Sequence, residues 1–119
     1  MIENNILADK SFAFALRCIK LYKFLTEEKR EFVMSKQVLR SGTSIGANIK
    51  ESVYAQSKAD FGAKISIAKK EAGETEYWLE LLKASGYLND KLATSLINDC
   101  KELLRMLIAS TKKIYLTEN

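Results

Sequence analysis

The chain contains no histidine and no proline, and only five of its 119 residues are glycine. Each shortage excludes something. Without histidine, the commonest metal ligand and the commonest general base at neutral pH are missing together. Without proline and with few glycines, turns are scarce. Long helices with short connections are favoured, and a sandwich or barrel, which needs a turn about every ten residues, is not. The two cysteines, Cys18 and Cys100, form no CxxC pair and sit inside apolar periodic runs. They read as small buried hydrophobes in a reducing compartment rather than as a disulfide or a reactive thiol. No run approaches the roughly 18 apolar residues that span a membrane. The opening stretch MIENNILADK is polar and acidic, without the apolar core of a signal peptide. These features lead us to expect a cytoplasmic protein.

What is present is a 47% hydrophobic composition, enough for a real core, in a length that fits one domain spanning residues 1–119. Apolar residues recur at spacings of three and four over four segments, the signature of helices with one buried face. The first runs from about Ala8 to Thr26, with Asp9 or Ser11 as N-cap. It carries a stripe of Phe14, Cys18, Leu21 and Leu25, and a second stripe of Phe12, Leu16, Ile19 and Tyr22 beside it. EEKR, from Glu27 to Arg30, is the break. The second segment runs from about Phe32 to Ala55 on a seam of Val38, Gly42, Ile45, Ile49 and Val53. The third has the clearest seam, Phe61, Ile65, Ala68, Ala72, Thr75, Leu79 and Leu82, with Ser57 or Asp60 as cap and Gly86 as C-terminal glycine. The fourth begins after Asn89 or Asp90 and continues to about Tyr115, on Ala93, Ile97, Cys100, Leu104, Leu107, Thr111 and Ile114, with Lys112 and Lys113 in its last turn. Four such helices predict an all-α, antiparallel up-down-up-down four-helix bundle.

The stretch QVLRSGTSIGANIKES, Gln37 to Ser52, needs explaining, because each glycine inside a helix costs about 1 kcal/mol relative to alanine. Gly42 and Gly46 lie four apart on the buried face, where missing side chains let another helix approach closely. Ser44 and Ala47 keep an adjoining face small. The neighbour can be in the same bundle or in another subunit. A phosphate-binding loop is the competing reading, but neither the GxxxxGK[ST] motif nor a preceding strand is present. On the third segment, Ile67, Glu71, Glu74, Trp78 and Leu81 form a second stripe. Ile67 and Trp78 on it suit a subunit interface, where tryptophan is favoured; a wide core face with Trp78 at its edge is the competing reading. Its carboxylates need partners, and Arg40 and Lys36 are the obvious ones. A metal or acid/base site is the less economical reading, because di-iron bundles require Glu-x-x-His.

The signature L-R-S-x-T-S-I-G-A-N at Leu39 to Asn48, Asp60–Phe61, K-E-A at Lys70 to Ala72 and E-T-E-Y-W-L at Glu74 to Leu79 together resemble the family of proteins encoded in intervening sequences of bacterial 23S rRNA genes. Gly73 interrupts the second motif. The resemblance covers nearly the whole chain and implies a four-helix bundle assembling as a ring-like homopentamer, with no catalytic residues, no metal and no cofactor to transfer. Members were long labelled ribosomal proteins from the location of their genes. A related branch, the accessory variability determinant of diversity-generating retroelements, binds a reverse transcriptase and nucleic acid. The resemblance further implies that Gly42, Ser44, Gly46 and Ala47 lie at or near helix-packing or oligomer surfaces, and that Arg40 pairs with Glu74.

The balance of 19 Lys and Arg against 15 Asp and Glu gives +4. A ring of five would carry about +20, and phosphate binding rises with valency. The leading expectation is therefore a non-enzymatic homo-oligomer contacting structured RNA or a nucleic-acid enzyme through exposed cations, with Lys20, Lys23, Lys36, Lys50, Lys58 and Lys69 as candidates. The alternative is a protein-interaction scaffold with no nucleic-acid role. An enzyme is the weakest reading, since no nucleophile, base and acid assemble at any motif spacing.

Overall fold

The computed structural model describes the backbone of residues 4–118 and the side chains of residues 6–113. Four helices follow one another: α1 (Asn4–Glu27), α2 (Met34–Ser52), α3 (Lys58–Ala84) and α4 (Asp90–Glu118). Consecutive helices pack side by side, and α1 closes on α4 along the thinnest of the four seams. The result is an antiparallel bundle of 49 × 21 × 20 Å. The 27 residues of α3 alone reach about 40 Å at 1.5 Å per residue.

The periodic seams become the core. Phe14, Cys18, Leu21 and Leu25 of α1, Val38, Ile45 and Ile49 of α2, and the complete α3 series from Phe61 to Leu82 are all buried. On α4 the buried line is Ala93, Leu96, Ile97, Cys100, Leu103 and Leu107; Leu104, expected on the seam, packs against its edge. Ile114 lies outside the described side chains.

The third and fourth helices start and stop where local chemistry directs. Ser57 Oγ accepts from Asp60 N at 3.0 Å, and Asp60 returns the contact by accepting from Gln56 N at 3.2 Å. At the other end Gly86 adopts φ +83°, and Tyr87 N reaches back to Leu82 O at 3.0 Å while Gly86 N reaches Lys83 O at 3.2 Å. This pair of bonds closes the helix with a left-handed residue. Asn89 then caps α4 by accepting from Leu92 N at 2.8 Å.

Several expectations are corrected in the first half of the chain. The first helix begins by Asn4, so Asp9 and Ser11 lie within it and cap nothing. Leu7, one heptad before Phe14 and 1% exposed, extends the seam that far. The second helix starts at Met34 rather than Phe32; its N-cap residue Val33 makes no side-chain cap bond, and the carboxylate of Glu31 takes over that role from the loop. That carboxylate accepts from Ser35 N at 2.7 Å, Met34 N at 2.9 Å and Val33 N at 3.1 Å, while Ser35 Oγ donates to Glu31 O at 2.8 Å. The second helix ends at Ser52, where three successive N–H groups turn to carbonyls three residues back. Val53 therefore leaves the seam and stands 55% exposed. The fourth helix continues to Glu118, so Lys112 and Lys113 precede its last turn.

Candidate functional site

The small-residue stretch of α2 divides between two faces. Gly42 and Gly46 turn toward α1. A Cβ on Gly42 would overlap Cys18 Sγ, and one on Gly46 would sit 3.3 Å from Ser11 Oγ and 3.5 Å from the Ser11 carbonyl oxygen. The glycines thus let α1 and α2 of the same chain approach closely. Ser44 is half-buried with its hydroxyl donating back to Arg40 O at 2.6 Å, and Ala47 is exposed.

On the opposite flank α2 meets α3 through a polar tile. Arg40 forks between the two carboxylates: Nη1 donates to Glu71 Oε2 at 3.0 Å, and Nη2 contacts Glu74 Oε2. Trp78 Nε1 also donates to Glu74 Oε2, at 3.2 Å, and its ring lies edge-on to Tyr77. Beneath the fork, Thr75 Oγ1 is 2.8 Å from Ser41 Oγ in the interior. Lys36 is exposed and joins neither carboxylate. Trp78 is half-buried against the core, and Ile67 on the same stripe is 43% exposed.

Both thiols are free and buried. Burial pushes Cys18 up to about 12 despite the neighbouring Arg17. Cys100 is likewise pushed up to about 12, first by burial and then by Glu76 and Cys18, and its Sγ lies 3.2 Å from Ala72 O. A thiol held that far above neutrality is not a nucleophile. Among the described residues no group of three or more His, Cys, Asp or Glu side chains gathers in a way that could hold a metal.

The six candidate lysines do not share one surface. Lys20, Lys23 and Lys36 are exposed near the end where α1 turns into α2, while Lys50 and Lys58 flank the α2–α3 turn at the other end. Lys50 Nζ lies 5.9 Å from the Tyr54 ring centre. Lys69 is half-buried on α3. Three further exposed cations outside those six, Lys101, Arg105 and Lys112, stand on α4 at spacings of four and seven. That periodicity is the signal the sequence carries, overlaid by the stronger apolar seam of the same helix.

The outer face of α1 is a second departure. Its additional stripe does not widen the buried face. Phe12 is 67% and Leu16 49% exposed, with Ile19 beside them, because they project away from the seam of Phe14 and Cys18. No described helix is long and apolar enough to cross a membrane.

No curated protein matches this chain. Its fold is similar to the crystal structure of a protein of unknown function from the S23 ribosomal protein family of Bacteroides thetaiotaomicron, with 55% identity and a TM-score of 0.91 over 92% of this chain and 98% of that one. The family model for the 23S rRNA-intervening sequence protein matches residues 3–109, the span that contains all four seams, the glycine-bearing α2 and the Arg40 fork. This chain belongs to the family of 23S rRNA-intervening sequence proteins.

Proposed function

We propose that this protein is a non-enzymatic homo-oligomer that binds structured RNA through its cations. One observation carries the reading: many exposed cations enter no ion pair among the described residues, while seven carboxylates are held in ion pairs or at helix starts. Glu102 pairs with Lys10, Asp99 with Arg17, Glu51 with Lys64, and Glu71 and Glu74 with Arg40. Glu31 and Asp60 serve helix starts. Lys20, Lys23, Lys36, Lys58 and Lys69 enter none of the ion pairs formed among the described residues. With a formal net charge of +4, these cations leave positive charge open to phosphate. Assembly into a ring, pentameric in the family's manner, would multiply it.

The purified protein is tested against a labelled structured RNA by anisotropy at several salt concentrations, with its oligomeric mass measured on the same sample. Micromolar binding by an oligomer that weakens steeply with salt is expected. No binding at low salt refutes the reading.

The exposed Phe12, Leu16 and Ile19 favour a second reading, a scaffold that presents these side chains to a protein and has no nucleic-acid role. Salt-insensitive capture of a protein partner together with no RNA binding would support it.

A further inference from the structure

The contact between Lys83 and Thr94 fixes which faces of α3 and α4 look at each other across the open side of their seam, Lys83 Nζ donating to Thr94 Oγ1 at 3.4 Å. Helical geometry then carries those faces along the bundle. On α4, Lys101, Arg105 and Lys112 follow Thr94 by 7, 11 and 18 residues, and at 3.6 residues per turn all three return to within about 20° of its direction. On α3, Lys69 and Lys58 precede Lys83 by 14 and 25 residues and return to within about 40° of it. The five cations therefore flank one groove. Cys100 Sγ against Ala72 O sets the antiparallel register, which places Lys112 across from Lys58 and the pair Lys101 and Arg105 across from Lys69. Each row is 11 residues long, about 16 Å, and the helix axes stand about 8–10 Å apart.

This groove differs in charge from the rest of the surface. The bundle's ion pairs among the described residues lie on the α1–α4 and α2–α3 seams, and none involves these five cations. Glu76, half-buried beside Cys100 and within about 20° of the direction of Lys83, bounds the basic stretch; from there toward the α2–α3 turn no further carboxylate shares the two rows. Glu102 faces α1 through Lys10, and Glu71 faces α2 through Arg40. Gly62 lies between Lys58 and Lys69 with open space around it, so the α3 rim is low. Neither row carries an aromatic side chain on which a base could stack.

We propose that the α3–α4 groove binds the phosphodiester backbone of duplex nucleic acid, reading shape and charge rather than sequence. A 16 Å row spans about five phosphates of one strand at 3.4 Å per phosphate, and the lack of stacking partners disfavours single strands. The inference rests on the nucleic-acid reading above and assigns its surface.

The full chain, as the oligomer it forms, is titrated into a labelled 20-base-pair RNA duplex and into a single strand of the same length, across a salt series. Wild type is compared with the variant Lys101→Gln/Arg105→Gln/Lys112→Gln and with the control Lys29→Gln/Lys70→Gln/Lys91→Gln, three exposed cations outside both rows and outside every ion pair among the described residues, which removes equal charge elsewhere. Melting curves confirm that each variant folds, as expected for exposed side chains. The groove variant loses roughly tenfold or more in affinity, and the slope of log K against log salt falls by about 3, one per phosphate contact removed. The control stays within about threefold of wild type. Equal losses in both variants overturn the groove assignment while leaving nucleic-acid binding intact. Preference for the single strand, or tighter binding to phosphatidylserine vesicles than to duplex, also overturns the groove proposal. Absence of any duplex binding by wild type sinks both the groove and the function on which it rests.

Discussion

The two helical hairpins, α1–α2 and α3–α4, use the same ingredients in opposite ways. In the first, glycine is a packing device: Gly42 and Gly46 admit Cys18 and Ser11 of α1 where a Cβ would crowd them. In the second, Gly62 and Gly73 face open space, so their missing side chains serve no contact and only weaken the helix. The connections differ too. The α1–α2 loop places Arg30 at φ +54°, and the Glu31 side chain caps the next helix. The α3–α4 loop is closed by backbone bonds around Gly86 and by Asn89. Their outer surfaces diverge as well, apolar on α1 and basic on α4. A glycine is thus informative about function or packing only once its neighbour is known.

The sharpest way to break this contrast is Gly42→Ala. Despite better helix propensity, the added methyl meets Cys18 Sγ and should destabilise the protein by about 1–3 kcal/mol in chemical denaturation. Adding Cys18→Ala in the same chain should restore part of that loss. A neutral single substitution would mean that α1 and α2 can separate at no cost.

Glu31→Gln should cost about 1–2 kcal/mol, because a neutral amide caps three N–H groups less well than a carboxylate. Burial alone would raise the Glu31 pKa, but the hydrogen bonds from Met34, Ser35 and Val33 outweigh it and hold the group below its ordinary 4.5. A carboxyl depressed in the folded state stabilises above its unfolded pKa, and this contribution fades as pH falls through the folded one. Wild type should therefore lose stability relative to Glu31→Gln on acidification from about pH 4.5 downward. Parallel pH profiles for the two proteins would remove the carboxylate from the account of this loop.

Where the hairpins meet, Arg40→Ala leaves Glu71, 8% exposed, with no cation beside it. A cost of about 1 kcal/mol is expected, kept modest because the arginine itself is half-exposed. An unchanged melting temperature would refute the structural role of the fork. The smallest effect has the opposite sign: Gly73→Ala, unopposed by any neighbour, should stabilise by about 0.5–1 kcal/mol. Destabilisation there would contradict the open space beside Gly73.

The second hairpin was largely legible before its structure was known. The seam from Phe61 to Leu82, the Ser57 cap and the Gly86 stop all act within a few residues of themselves. The first hairpin was less so. Glu31 caps a helix from an irregular loop, a geometry that no spacing rule announces, and the start at Asn4 hid behind two plausible caps. The Arg40 fork was readable from complementary charges on two amphipathic helices, but the exposure of Phe12 and Leu16 was not. Periodicity counts apolar stripes without saying how many neighbours a helix will have.

By itself the sequence determined four helices, their buried seams and the two caps and glycine stop of the second hairpin, because hydrophobic periodicity and capping are short-range. The tertiary structure decided which helix the glycines of α2 admit, which carboxylates are spent on ion pairs and which cations remain open. Those outcomes depend on the register and orientation of packed helices, and residues tens of positions apart become neighbours only when the bundle closes.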